Sequence, residues 1–273
     1  MEKVSIVGLG WLGLPLAEKL QKDGYDVQGS KASTEGVEQA QALGLNCQLL
    51  NTTLDLSLRN PNIKALFSCD TLVITLPPNG HHGVKKYASI VAALAKTAEY
   101  CGAKRIVFTS SISVYGKQAN IVTEQSYCEP ITDSGDAVLA AEEALLVAVK
   151  IPVAIVRLGG LFGDDRLPQN WLQKKTHFDH PNHSINMVHR VDAVNAITAI
   201  IAGNWDEKQI YNVVVAMHPT RYEYYNKVAV DHRLPLPIFD ETELARPTRA
   251  SYVDGSKITR DFPFQYQGSI YEV

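Results

Sequence analysis

The chain has 273 residues, 45% of them hydrophobic and 20% charged, with a formal net charge of −3. Those figures exclude a small disulfide scaffold, a disordered chain and a collagen-like repeat, and leave one large α/β domain or a nucleotide-binding domain with an appendage. With 26 Lys and Arg against 29 Asp and Glu there is no basic excess for a nucleic-acid partner, and apolar runs such as Leu72–Leu76 are too short for a membrane span.

Val4–Val7 predicts a strand, and Leu12–Lys22 a helix with Leu12, Leu16 and Leu20 on one face. Gly24 follows where a helix end favours a residue tolerant of positive φ. Tyr25–Gly29 predicts a second strand and Asn46–Leu50 a weaker third. Thr71–Leu76 reads as a fourth, stopped by Pro77-Pro78. A long helix over Val84–Tyr100 puts Ile90, Val91, Leu94 and Ala98 on its apolar face. Arg105–Thr109 follows as a fifth strand, Ser134–Val149 as a helix and Val153–Arg157 as a sixth strand. This alternation implies an α/β, Rossmann-type doubly wound parallel sheet, covered on both faces.

After residue 160 the rhythm loosens. Leu161–Ser184 reads as loop with one short helix around Trp171, Val191–Ala202 as helix and Ile210–Val215 as strand. From Pro219 a Tyr-rich helix gives way to an irregular stretch. The expected division is a nucleotide-binding domain of residues 1–160 plus 185–215, with a small discontinuous C-terminal substrate lobe of 161–184 plus 216–273. No basic, apolar leader precedes the first strand, and Cys47, Cys69, Cys101 and Cys128 show no Cys-x-x-Cys spacing. The expectation is a cytoplasmic protein with free thiols.

Gly8-Leu9-Gly10-Trp11-Leu12-Gly13 is a G-x-G-x-x-G placed between a strand and a helix, the context a dinucleotide partner requires. The first glycine permits the tight turn, the second lets a pyrophosphate approach the backbone, and the third allows close helix–strand packing. The helix N-terminus adds free N–H donors, and Pro15 sits where a lost N–H costs least. The second strand ends Gln28-Gly29-Ser30-Lys31-Ala32-Ser33. It lacks the acid, roughly twenty residues past the glycines, that binds the ribose 2′-hydroxyl of NAD. Lys31 with the Ser30 and Ser33 hydroxyls suits a 2′-phosphate instead, so NADP is preferred to NAD; a merely solvated Lys31 is the alternative.

Ser110-Ser111-Ile112-Ser113-Val114-Tyr115-Gly116, the run Arg157–Gly163 and Met187-Val188-His189-Arg190-Val191-Asp192 follow the glycines in order. Together these segments resemble the extended short-chain dehydrogenase/reductases, the nucleotide-sugar epimerases and dehydratases, and within them an atypical YeeZ-like group. The resemblance implies cofactor contacts at Thr75, Leu76, Pro77, Ser110, Arg157, Leu158 and Gly159. It implies that Ser111 donates a hydroxyl to a substrate carbonyl, with Asn186 and His189 on the substrate side. It further implies a homodimer through the helices Val84–Tyr100 and Ser134–Val149.

Two departures stand out. Val7 occupies the place of an earlier glycine that extended members usually carry. More consequential is the family's Tyr-x-x-x-Lys, in which Lys⁺ and nicotinamide lower the tyrosine pKa from about 10 toward the working pH. Aligning Ala141-Glu142 with the family's Ala-Glu pair puts Ser134 and Val138 at those positions. Tyr100–Lys104 has the spacing but precedes the fifth strand, an accidental match. Tyr115 and Tyr127 are the nearby phenols, for which packing or loop anchoring outweighs catalysis.

His177, His180 and His183 read as a solvated loop and no metal site is expected. Asp164, Asp165 and Arg166 lie at the mouth of the expected cleft, where an ordinary solvated loop explains them as well. Two readings remain open: an NADP-dependent oxidoreductase or epimerase on a carbonyl, hydroxyl or nucleotide-sugar substrate, and a catalytically silent dinucleotide-binding protein of regulation or assembly.

Overall fold

A computed structural model describes residues 1–51, 56–78, 83–117, 120–245 and 251–271. Its elements run β1 (Lys3–Val7), α1 (Gly13–Lys22), β2 (Asp26–Lys31), α2 (Thr34–Ala42), β3 (Asn46–Leu49), α3 (Pro61–Phe67) and β4 (Thr71–Ile74). Then come α4 (Tyr87–Tyr100), β5 (Arg105–Ser111), α5 (Asp133–Ala148) and β6 (Val153–Leu158). The later part holds β7 (Gly160–Phe162), α6 (Pro168–Lys174), β8 (Met187–His189), α7 (Arg190–Ala202) and β9 (Gln209–Val213). It closes with α8 (Arg221–Asp231), α9 (Glu241–Leu244) and α10 (Lys257–Asp261).

Seven strands form one parallel sheet in the order β3-β2-β1-β4-β5-β6-β9. The strand order reverses between β1 and β4, and the crevice at their carboxyl ends is where such sheets bind ligands. β4 and β6 are buried along their whole length, which is why their sequences are continuously apolar rather than alternating. On one face Leu16, Leu20, Ile197 and Ile200 pack over Ile6, Val73 and Val107. On the other, Val91, Leu94 and Leu145 pack over Leu72, Ile74 and Phe108. A third core joins Phe162, Leu172, Phe178, Tyr224, Val228 and Ile270. The tail is shared between cores, since Ile258, Phe262 and Phe264 pack against the first.

Besides the short α9 and α10, in the tail read as irregular, two helices of the first half escape the sequence reading. α2 buries only Ala40 and carries Gly36 in its first turn, so it has neither a strong apolar stripe nor high propensity. It begins because the Ser33 hydroxyl accepts the Gly36 N–H at 3.2 Å. α3 is a seven-residue helix started by the Asn60 cap and Pro61. Several boundaries move, among them β2, which runs on to Lys31, and the last strand, which ends at Val213. β4 ends at Ile74, short of Leu76, and β5 runs on to Ser111, from which a 3₁₀ turn over Ile112–Tyr115 departs. Gly24 does close α1 at φ +90°.

Candidate functional site

The glycine turn leaves β1 at Gly8, whose φ of +107° is closed to most side chains. A Cβ on Gly13 would lie 2.2 Å from the Gly8 carbonyl oxygen, so only glycine lets α1 sit this close to the turn. A Cβ on Gly10 would meet nothing within 4 Å, because Gly10 faces an open cleft. The N-cap position of α1, Leu12, makes no side-chain cap bond, and the first turn holds no acid. The Leu14 N–H goes to the Gly10 carbonyl at 3.0 Å and Pro15 has none, so the donors a helix start can offer an anion are those of Leu12 and Gly13. The Thr75 hydroxyl donates to the Gly8 carbonyl at 2.6 Å and ties the end of β4 to the turn. Leu9 points away from the cleft and covers Gly29, where a Cβ would approach its side chain to 2.6 Å.

The cleft continues as a cavity of about 470 Å³. It is lined by Gly10, Trp11 and Leu12 after β1, by Thr75, Leu76 and Pro77 after β4, and by Ser110, Ser111, Leu158 and Gly159 at the ends of β5 and β6. Ser134 and Val138 line it too, on the first turns of α5. Ser134 and Val138, which the sequence resemblance aligns with the family's Tyr and Lys, thus present a hydroxyl and an isopropyl group to the cavity wall. Ser111 accepts the Ser113 N–H at 3.1 Å, which leaves its own proton to donate. Ser110 donates instead to Glu142, which also accepts from Arg157 Nε at 3.0 Å and from the terminal guanidinium nitrogen at 2.6 Å. Both charged side chains are at most 4% exposed. Burial works to lower the Arg157 pKa, but the hydrogen bonds and charge of Glu142 outweigh it and hold the guanidinium above its ordinary range.

Not every expected residue reaches this cavity. Arg157 lies behind the wall in that ion pair. Tyr115 is 1% exposed, donates to Asn212 Oδ1 at 2.7 Å, and packs its ring against Arg157. Burial pushes its hydroxyl up to about 12, far from a neutral-pH acid. Tyr127 is 79% exposed and lines no part of the cavity. Asn186 Oδ1 accepts the Val253 N–H at 2.9 Å, and His189 Nδ1 accepts the Val191 N–H at 3.2 Å as the cap of α7. Ser30 accepts the Gly8 N–H at 3.3 Å, beside the turn, and half-buried Lys31 follows it at the end of β2. Tyr100 is 82% exposed, and Lys104 pairs with Asp70 at 2.8 Å at the opposite, amino-terminal edge of the sheet.

Other lining residues were not foreseen. Thr109 sits two residues before the end of β5, so the carboxyl-end rule could have found it. Tyr87 opens α4 and reaches the cavity fully buried, donating to the Leu76 carbonyl at 2.8 Å. Burial drives its pKa far above the usual phenol value. Nothing in the local sequence marks it. Arg166, which the sequence reading put near the mouth of the cleft, also lines the cavity. The His180 and His183 rings stack at 4.6 Å, but no group of three or more metal-ligand side chains occurs among the described residues. Nor is any described helix long and apolar enough to cross a membrane.

Residues 4–213 match the model of the NAD dependent epimerase/dehydratase family. The chain is 37% identical over 268 residues to Protein YeeZ of Escherichia coli, a match covering 98% of this chain and 96% of that one. A UDP-glucuronic acid 4-epimerase from Bacillus cereus, solved in complex with NAD, aligns with a TM-score of 0.78 at 18% identity, over 98% of this chain and 95% of that one. A functionally unknown conserved protein from Silicibacter pomeroyi aligns at 0.75 and 19% identity, over 99% and 96%. At such identities the two structures speak for the fold alone.

Proposed function

The chain belongs to the NAD dependent epimerase/dehydratase family, and within it we propose a protein that binds NADP(H) in preference to NAD(H). It holds a carbonyl- or hydroxyl-bearing small molecule, of which a nucleotide sugar is one candidate, against the dinucleotide through Ser111. The observation that carries this reading is the open face of Gly10, continuous with the hydroxyl-lined cavity that ends at Ser111 and Ser134. The residues present fit a dinucleotide. Gly8, Gly10 and Gly13 each meet one geometric demand of the fingerprint, and the uncapped start of α1 offers N–H donors to a pyrophosphate.

A bound nicotinamide supplies a hydride donor or acceptor. The chain's own part is binding and orientation. Thr75 holds the turn, Leu158 and Gly159 form backbone wall, and Ser111 donates one hydrogen bond to an oxygen of the second ligand. Lys31 and Ser30, with their donors at the end of β2, meet the 2′-phosphate. We place the protein in the cytoplasm as a homodimer through α4 and α5, which pack side by side.

Ser134 and Val138 in the wall favour a second reading, a dinucleotide-binding protein without turnover. General acid catalysis typically contributes about a hundredfold to ten-thousandfold, and no lining side chain among the described residues supplies an acid near neutral pH. Calorimetric titration with NADPH and NADH tests the binding claim, with NADPH expected to bind more tightly. Equal affinity for both removes the cofactor preference, and no binding of either removes the whole reading. Tight NADPH binding without oxidation across broad carbonyl and sugar-nucleotide panels selects the second reading over the first.

A further inference from the structure

The start of α1 leaves one carbonyl without its helical partner. The Leu14 N–H goes to the Gly10 carbonyl at 3.0 Å and the Leu16 N–H to the Leu12 carbonyl at 3.3 Å. The bond between these two in the ladder would run from residue 15 to the Trp11 carbonyl. Residue 15 is a proline, which has no N–H to give. A distant side chain fills the gap. Arg190, the first residue of α7, donates from its guanidinium to the Trp11 carbonyl at 3.3 Å.

The position of Arg190 is built. Its side chain is 18% exposed and pairs with Asp164, and its guanidinium lies 4.7 Å from the centroid of the Trp11 ring. The ring is fixed in turn from the loop after β7, where Asp165 accepts the indole N–H at 2.6 Å and Arg166 stacks at 4.3 Å. Arg190 lines no part of the cavity, so its effect on a ligand passes through the turn.

The geometry of a peptide unit says what that effect is. The bond between Trp11 and Leu12 is trans, so the Trp11 C=O and the Leu12 N–H point in opposite directions within one plane. A carbonyl held along the helix aims that N–H out of the helix start, toward the cleft that Gly10 and Leu12 line. The Leu16 bond to the Leu12 carbonyl orients the Gly13 N–H in the same way. The two donors that α1 offers an anion are thus aimed by one intrahelical bond and by one bond from Arg190.

We propose that Arg190 is a positioning residue for the dinucleotide: it stands in for the amide that Pro15 lacks and keeps the Leu12 N–H aimed at the pyrophosphate. This rests on the dinucleotide-binding reading above. The pyrophosphate is common to NADPH and NADH, so Arg190 serves both alike.

The test is a double-mutant cycle read by calorimetric titration with NADPH and with NADH. Arg190→Met keeps the reach of the side chain and removes the donor. It should weaken both dinucleotides by one common factor, about threefold to tenfold, and Arg190→Lys, which keeps a donor, should weaken them less. Pro15→Ala returns an N–H to the ladder, so in that background Arg190→Met should cost less than about twofold. Melting temperatures verify that each variant is folded; should Arg190→Met not fold, Arg190→Lys with and without Pro15→Ala carries the same comparison. Affinities unchanged by Arg190→Met, or a loss confined to NADPH, overturn the proposal. So does an equal loss with and without Pro15→Ala, since the cation then acts on the dinucleotide directly. If neither dinucleotide binds the unmodified protein, the underlying reading fails separately, and the same cycle in urea unfolding still decides whether Arg190 replaces the missing amide.

Discussion

The two ends of the cleft are made of different materials. At the glycine turn the binding surface is backbone: Gly10 exposed to the cleft, Gly13 pressed on the Gly8 carbonyl, and the uncapped start of α1. At the far end it is side chains, and there Ser134 and Val138 take the positions where the family resemblance puts an acid and its cation. A backbone site is fixed by the fold, because any sequence that builds this strand–turn–helix presents the same N–H groups. A proton relay depends on two side chains that the fold does not require. The first end can persist while the second is lost, and for that reason family membership alone does not establish a reaction.

The largest expected effect separates the far end's packing from its chemistry. Glu142 holds Ser110 from behind the wall and neutralises a buried Arg157, one of whose terminal nitrogens already has no hydrogen-bond partner among the described residues. Glu142→Ala leaves that guanidinium buried without its counter-ion. Breaking such a pair from one side costs about 3–5 kcal/mol, so urea unfolding should show a loss of that order. A variant within 1 kcal/mol of the unmodified protein means the wall does not depend on the ion pair.

The glycine end yields a paired test. Gly13→Ala forces a Cβ against backbone that cannot move cheaply, and a loss of about 2–4 kcal/mol is expected with dinucleotide binding gone. Gly10→Ala adds a methyl in open space, so the melting temperature should hold while NADPH affinity drops at least about tenfold. Equal behaviour of the two variants, in stability or in affinity, breaks the claim that one glycine serves packing and the other the ligand.

Restoring the missing groups sharpens the comparison from the other side. Ser134→Tyr combined with Val138→Lys places a phenol and an ammonium on the cavity wall. If the far end lacks only its acid, NADPH oxidation with responsive carbonyl substrates should rise by about a hundredfold or more. No gain in a folded, NADPH-binding double variant assigns the silence to the second ligand's placement instead.

How far these features could be read in advance follows the same division. The glycine turn and the parallel strands were legible, because each is a local pattern of residue types with one geometric meaning. α2 and α3 were not, as one buries a single alanine and the other is shorter than two helical periods of pattern. Side-chain direction was legible least. Tyr115 and His189 lie in the right segments, yet one is buried against Asn212 and the other caps α7. Conversely Tyr87 arrives from the start of α4 with no motif around it. The Trp11–Arg166 stack joins residues far apart in sequence, so no spacing announces it.

The smallest expected effect concerns the cofactor's outer edge. Lys31 is half-buried at the end of β2, and the neighbouring Ser30 and Ser33 hydroxyls accept backbone N–H groups while keeping their own protons to donate. A 2′-phosphate there gains one charge-assisted hydrogen bond from the ammonium, partly screened by solvent. Lys31→Ala should therefore weaken NADPH by about tenfold or less, and leave NADH unchanged. Raising the salt should narrow the NADPH preference of the unmodified protein but not of the variant, because only the former has an ammonium–phosphate pair to screen. A variant that loses NADPH and NADH affinity in equal proportion places Lys31 on the part of the dinucleotide common to both. The preference for NADP would then have no physical basis in this chain.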